Sequence, residues 1–255
     1  MNRTQRELRI IANKEIARET FRLTLDAQEL PELPEPGTFF NLTVPDSIFI
    51  LKRPISVFFV DRENRRLELI YKVMGAGTKL FSEMEQGDRI QVMGPLGTGF
   101  PIQEARGRIL LIGGGVGVPP LHELGCRLKA NGHDVISVLG FRDQASVFCE
   151  EEFMRLGDVI ICTDDGSYGY HGLVTEAVKD RGVDFDMVYA CGPRPMLKTV
   201  DETWRNAKKG WLSFEERMAC GIGACYGCMT ETKAGLKRVC KDGPVFALGE
   251  AVYND

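Results

Sequence analysis

The 255-residue sequence has no uninterrupted apolar run approaching the ~20 residues that a membrane-spanning helix needs. Its first twenty residues, MNRTQRELRIIANKEIARET, carry charges throughout and contain no apolar stretch of the kind a secretion signal requires, so a cytoplasmic protein is expected. A basic excess is also missing. Lys+Arg 32 against Asp+Glu 36 gives a formal net charge of -4, which argues against nucleic acid or an anionic membrane as partner. Histidine is scarce: only His122, His133 and His171 occur, none in a recognisable base or ligand motif. Nucleophile elbows, paired-carboxylate acid/base motifs, repeats and low-complexity tracts are absent as well. Nothing evident in the chain would deprotonate an organic substrate.

What remains is a soluble globular composition, 44% hydrophobic and 27% charged. At roughly 150 residues per domain, two domains and a small appendage are expected. The first hundred residues read as β. Apolar positions alternate at Phe21, Leu23, Leu25 and at Phe40, Leu42, Val44. Strand-like runs follow at Ile55–Val60, Leu67–Val73 and Arg89–Met93, separated by turn residues, and a short helix is expected at Lys79–Met84. Many short strands at this spacing suggest an antiparallel barrel over residues 1–100. From Gly107 the rhythm becomes strand–helix–strand, with helices expected at Pro119–Ala130, Gly172–Lys179 and Pro195–Ala207. That alternation implies a parallel α/β domain over 101–214. The remaining 215–255 is too short for its own core and calls for a metal.

Eight cysteines in a reducing compartment point to metal binding or free thiols rather than disulfides. Cys220, Cys225, Cys228 and Cys240 spell C-x4-C-x2-C-x11-C. The C-x4-C-x2-C…C spacing is that of plant-type [2Fe–2S] sites. Gly221, Gly223 and Gly227 suit a loop whose N–H groups point at sulfur. A structural zinc site of four cysteines is the competing reading, although zinc ribbons usually offer two C-x2-C pairs and only Cys225 with Cys228 forms one.

Two glycine turns follow strands in the second half. Ile109–Ile112 runs into Gly113-Gly114-Gly115-Val116-Gly117-Val118-Pro119-Pro120, and Cys191-Gly192-Pro193 opens another helix. A strand emptying through glycines into a helix N-terminus makes a seat for a pyrophosphate. Two such turns at the carboxyl ends of parallel strands mark a ligand crevice. The spacing is not the standard dinucleotide fingerprint, so a tight strand–helix corner without a ligand stays open. Gly140-Phe141-Arg142-Asp143 offers an acid for a ribose hydroxyl and an arginine for a 2′-phosphate, which leaves the dinucleotide undecided. Asp164-Asp165-Gly166-Ser167 reads as a solvated turn that could border the nicotinamide, and Cys191 as packing more than chemistry.

Arg53-Pro54-Ile55-Ser56 on an expected barrel strand resembles the RxxS flavin motif of the ferredoxin–NADP reductase superfamily. Gly94-Pro95-Leu96-Gly97 and the two glycine turns occur in that superfamily's order. With the C-terminal cysteines and the ending Val239-Cys240-Lys241-Asp242-Gly243-Pro244-Val245-Phe246, the whole chain resembles the family of electron-transfer subunits of B-type, NAD-linked dihydroorotate dehydrogenases. The resemblance implies three cofactors: FAD, a [2Fe–2S] cluster and NAD. Arg53, Pro54, Ile55 and Ser56 would contact FAD, with Ile70, Tyr71 and Lys72 lining it and Gly77 and Thr78 meeting its phosphates. Gly113, Gly114, Gly115, Gly117, Cys191, Gly192 and Pro193 would hold the dinucleotide. The implied partner is an FMN-containing catalytic subunit that oxidises dihydroorotate in pyrimidine biosynthesis, two of each chain forming a heterotetramer. A hydride carries two electrons and a [2Fe–2S] cluster passes one, so a flavin belongs between them. Sulfhydrogenases and bifurcating ferredoxin–NADP reductases carry similar subunits. A zinc-stabilised nucleotide-binding regulator is the remaining alternative.

Overall fold

The computed structural model describes residues 4–45 and 48–253. Strands β1 (Thr4–Ala17), β2 (Thr20–Asp26), β3 (Phe39–Leu42), β4 (Arg53–Asp61), β5 (Arg66–Lys72) and β6 (Arg89–Leu96) close into a barrel in the order β1-β2-β5-β4-β3-β6. Neighbours are antiparallel throughout. Alternation accounts for the closure: Leu23 and Leu25 of β2, Leu67, Leu69 and Tyr71 of β5 and Ile90 and Val92 of β6 all point into one core. Strand β1 carries no clear strand pattern in the sequence, because its charges mask an inward pair, Leu8 and Ile10. Helix α1 spans Ala76–Ser82, three residues ahead of the expected Lys79–Met84, so Gly77 and Thr78 lie inside it.

Beyond the barrel come β7 (Ile109–Gly114), α2 (Pro119–Ala130), β8 (Val135–Phe141), α3 (Glu150–Met154), β9 (Asp158–Thr163), β10 (Tyr170–His171), α4 (Val174–Asp180), β11 (Met187–Cys191), α5 (Arg194–Trp204) and β12 (Lys209–Ser213). The tail adds a hairpin, β13 (Met229–Thr232) with β14 (Gly235–Arg238), then α6 (Val239–Asp242) and β15 (Val245–Ala247). Sheet order is β10-β9-β8-β7-β11-β12-β15. All its pairings are parallel except the last. The order reverses at β7, which has β8 on one side and β11 on the other. Ligands of such sheets bind outside the carboxyl ends of the strands at that switch point.

β15 is the departure from a purely parallel sheet. It returns antiparallel to β12, matching Trp211 with Ala247, Leu212 with Phe246 and Ser213 with Val245. The tail therefore does not rely on a metal alone. Cys228, Val239, Cys240 and Phe246 share a core with Phe39 and Leu96 of the barrel and with Leu212 and Phe214.

Helix α2 closes the seam between sheet and barrel by packing on β4. The His122 ring stacks on Phe58 at 4.4 Å and meets Phe153 edge-on. Burial drives its pKa down to about 4. The ring is neutral in the fold but binds a proton near pH 6.5 when unfolded, so it withdraws stability as pH falls from about 6.5 to 4. His122→Phe, which keeps the stacking, is expected to flatten the pH dependence of the unfolding free energy from urea titration in that window by up to about 1.4 kcal/mol per pH unit.

Candidate functional site

An open cleft of about 920 Å³ lies where barrel, sheet and tail meet. One wall holds residues named from the sequence: Arg53, Pro54, Ile55 and Ser56 at the start of β4, Ile70, Tyr71 and Lys72 at the end of β5, and Thr78. The β3–β4 register over Arg53–Ser56 fixes the first group. Gly77 does not line the cleft. It lies against Arg53, and a Cβ there would come within 2.8 Å of the guanidinium. Arg53 also donates to the Leu51 carbonyl at 2.6 Å. A fixed planar cation over a glycine turn is a suitable partner for a phosphate. The Thr78 hydroxyl accepts the Met74 and Gly75 amides at 2.9 and 3.2 Å and so rigidifies that turn. The Tyr71 hydroxyl turns to Asn13 at 3.1 Å, and burial raises its pKa to about 12.

The opposite wall carries no motif that sequence reasoning could find. It consists of Ser213, Phe214, Glu215, Glu216 and Met218, with Pro244 and Phe39 beside it and Val116 from the first glycine turn. Glu216 is held by Arg194 at 2.9 Å, and Glu215 stands exposed beside it. The end of β12 was the missing signal: Lys209–Ser213 is a short strand whose last residue delivers Phe214 and Glu215 to the cleft.

A second cleft of about 750 Å³ opens at the carboxyl ends of β7, β8, β9 and β11. Gly114, Gly115 and Pro193 line it, together with Phe141, Arg142, Asp164 and Met196. Gly113, Gly117, Cys191 and Gly192 lie behind it. Their part is to let the two turns touch: a Cβ on Gly117 would stand 2.4 Å from the Cys191 carbonyl oxygen. Cys191 is buried, and that burial raises its thiol well above the usual range. Val116 faces the first cleft and Gly115 the second, so one turn walls both. Asp143 is turned away, paired with Arg18 and capping Ser146 at 3.0 Å. The carboxylate in the cleft is Asp164, from the turn read as solvated but able to border the nicotinamide.

The four clustered cysteines are brought together as two pairs, Cys220 with Cys225 and Cys228 with Cys240. Every one of these sulfurs accepts a backbone amide. Ile222, Ala224 and Cys225 donate to Cys220 at 3.3–3.4 Å, Gly227 to Cys225 at 3.4 Å, Cys240 to Cys228 at 3.4 Å and Gly223 to Cys240 at 3.1 Å. Gly221 and Gly223 adopt φ of 68° and 82°, the left-handed turns that aim these amides inward. Desolvation opposes ionisation of Cys220, but the amides outweigh it and bring its pKa to about 6. Burial pushes Cys240 up to about 12. No three metal-binding side chains among the described residues close around one point. Two thiol pairs ringed by amides fit a binuclear iron–sulfur group better than one tetrahedral zinc.

Residues 215–252 match the family described as the iron-sulfur cluster binding domain of dihydroorotate dehydrogenase B. A relative from Geobacillus thermodenitrificans, named dihydroorotate dehydrogenase B (NAD(+)), electron transfer subunit, is 45% identical, covering 95% of this chain and 96% of its own. One of the same name from Shouchella clausii is 44% identical over 99% and 100%. The chain belongs to this family of electron transfer subunits. Among solved structures, an NADH-dependent reduced ferredoxin-NADP oxidoreductase superimposes with a TM-score of 0.88 at 29% identity, over 96% of this chain and 90% of that one. FAD, a [2Fe–2S] cluster and NAD are the cofactors of this fold and family.

Gly117→Ala is expected to weaken NADH binding at least tenfold by equilibrium titration while leaving flavin content unchanged, because the added methyl separates the two turns of the second cleft. Arg53→Ala is expected to do the reverse, lowering the flavin retained after gel filtration and sparing the iron.

Proposed function

We propose that the chain carries electrons from an FMN-containing, dihydroorotate-oxidising catalytic subunit through its own [2Fe–2S] cluster and FAD to NAD⁺, within pyrimidine biosynthesis. The observation that carries this reading is the shared cleft: Ser213–Glu216, Met218 and Pro244, from the thiol-bearing tail and the strand leading into it, face Arg53–Ser56 of the barrel across it, with Val116 of the glycine turn between them. FAD bound there supplies the exchange between hydride and single-electron chemistry.

The chain's own residues provide position and charge. Arg53 holds a pyrophosphate, and Pro54, Ile55 and Ser56 with Ile70, Tyr71 and Lys72 form the flat wall for the ring. Gly114, Gly115 and Pro193 seat the dinucleotide, with Gly113, Gly117, Cys191 and Gly192 shaping the turns behind. Asp164 and Arg142 both line the second cleft, and the NAD(+) in the relatives' names favours NAD over NADP. Cys220, Cys225, Cys228 and Cys240 hold the iron, their amides offsetting negative charge on the thiolates and sulfides. Cys225 is the exposed member of the four and marks the side from which a partner takes or gives electrons. The division of labour is residues 1–100 for FAD, 101–214 for NAD and 215–255 for the cluster. Two of each subunit assemble in the cytoplasm. Among the described residues no helix is long and apolar enough to cross a membrane.

The likeness to the NADH-dependent ferredoxin-NADP oxidoreductase supports a second reading in which the same wiring serves another partner. Identification of the subunit that co-purifies decides between them.

Anaerobically purified protein is expected to hold one FAD and two irons per chain and to reduce dyes with NADH, yet to leave dihydroorotate untouched until the catalytic subunit is added. Cys240→Ser should abolish the iron and the coupled dihydroorotate–NAD⁺ reaction while FAD content and NADH–dye reduction stay within about twofold. Stoichiometric zinc in place of iron contradicts the proposal.

A further inference from the structure

Glu123 is 1% exposed and belongs to neither cleft. It lies in the second turn of α2, and its short bonds all run to the other layer. Oε2 accepts the Val60 amide of β4 at 3.1 Å, and Oε1 accepts Arg62 Nη1 at 2.7 Å. The cation on its own helix, Arg127, stands at 4.0 Å and reaches on to Glu35 of the barrel segment at 3.5 Å. A carboxylate buried to this degree is costly unless paired and hydrogen-bonded, and here every strong partner is supplied by β4 and the turn after it.

The place of this contact gives it leverage. The β3–β4 register ends at Ser56, and a shift in the β4–β5 register lies between Val57 and Phe59. Past Ser56, α2 covers the edge of β4 that β3 leaves, and Glu123 takes the Val60 amide there. Val60 lies four residues from Ser56, about 13 Å along a strand. Glu123 lies four residues into α2, about 6 Å along a helix that begins two residues after Gly117. Both are rigid elements, each with a cofactor seat at its near end. Hydride exchange needs reacting atoms roughly 3–3.5 Å apart, and a misplacement of about 1 Å can cost about a hundredfold in rate.

We propose that Glu123 is a positioning residue for hydride exchange: by tying α2 to β4 it sets the spacing between the dinucleotide turn and the flavin wall. The inference rests on the function proposed above. If the wild-type holoprotein shows no NADH-driven flavin reduction at all, it is that function which fails; the role of Glu123 is judged against a working wild type.

The test uses the holoprotein with Glu123→Ala, Glu123→Gln and Arg62→Met, measured by anaerobic stopped flow with NADH, by flavin and iron content, and by amide hydrogen exchange at Val60 in the cofactor-free chain. Glu123→Ala is expected to lose protection at Val60 and to lower the limiting rate of flavin reduction at least tenfold, with cofactor content and half-saturating NADH within twofold of wild type. Glu123→Gln, which keeps an acceptor for Val60, should recover most of the rate, and Arg62→Met should fall between. A limiting rate within twofold of wild type despite lost Val60 protection overturns the proposal, as does a rate loss that only parallels loss of FAD. Should Glu123→Ala fail to fold, unchanged limiting rates in both Glu123→Gln and Arg62→Met overturn it, and an ordered decrease with NADH half-saturation unchanged supports it.

Discussion

The site depends on a short antiparallel pairing, β12 with β15. Ser213 opposite Val245 is the clamp at the base of the thiol-bearing excursion. Chain leaving the sheet at Ser213 passes Glu215 and Met218 along the cleft, makes its turns around sulfur, and returns through Pro244 to the strand it left. Both ends of the metal-binding segment are thereby pinned to the edge of the dinucleotide sheet, and its inner side is pinned to the barrel. A Cβ on Gly221 would stand 2.0 Å from Asn41 of β3, and Cys228 and Cys240 pack in the same core as Phe39 and Leu96. Position, more than reactivity, is what this protein contributes: no catalytic acid or base is needed when cofactors carry the chemistry.

A second constraint complements the first. The clamp holds the thiol-bearing tail against the Arg53–Ser56 wall, while the α2–β4 seam joins the helix that follows the first glycine turn to the strand carrying that wall. That seam is built from a stacked neutral histidine and a buried carboxylate paired with a half-exposed arginine, groups whose energies depend on close contact. Val116 and Gly115, adjacent in the chain, face different clefts. One turn therefore walls both clefts.

Much of this was legible before the fold. Arg53-Pro54-Ile55-Ser56, singled out through a family resemblance, and Gly114-Gly115 are local patterns that line the two clefts, and the C-x4-C-x2-C-x11-C spacing lies in the segment that matches an iron-sulfur binding family. What stayed hidden was long-range. Phe214 and Glu215 carry no signal of their own because they reach the cleft only once Lys209–Ser213 joins the sheet and β15 pairs with it, across more than thirty residues. β1 was masked because charged residues interrupt its alternation and only Leu8 and Ile10 are buried. Asp143, the acid at the end of β8, was a reasonable candidate for a ribose. Arg18, just past the end of β1, occupies it instead, and the cleft receives Asp164 from the turn after β9.

The central claim is that dinucleotide, flavin and iron seats form one connected route through this chain. Its most direct measurement is low-temperature EPR of the anaerobic holoprotein after addition of NADH alone, beside a sample stripped of FAD. The spectrum of a reduced [2Fe–2S] centre is expected in the first sample and none in the second, with dithionite producing it in both. A centre that dithionite reduces but NADH never does in the FAD-loaded protein, or one that NADH reduces equally well without FAD, contradicts it.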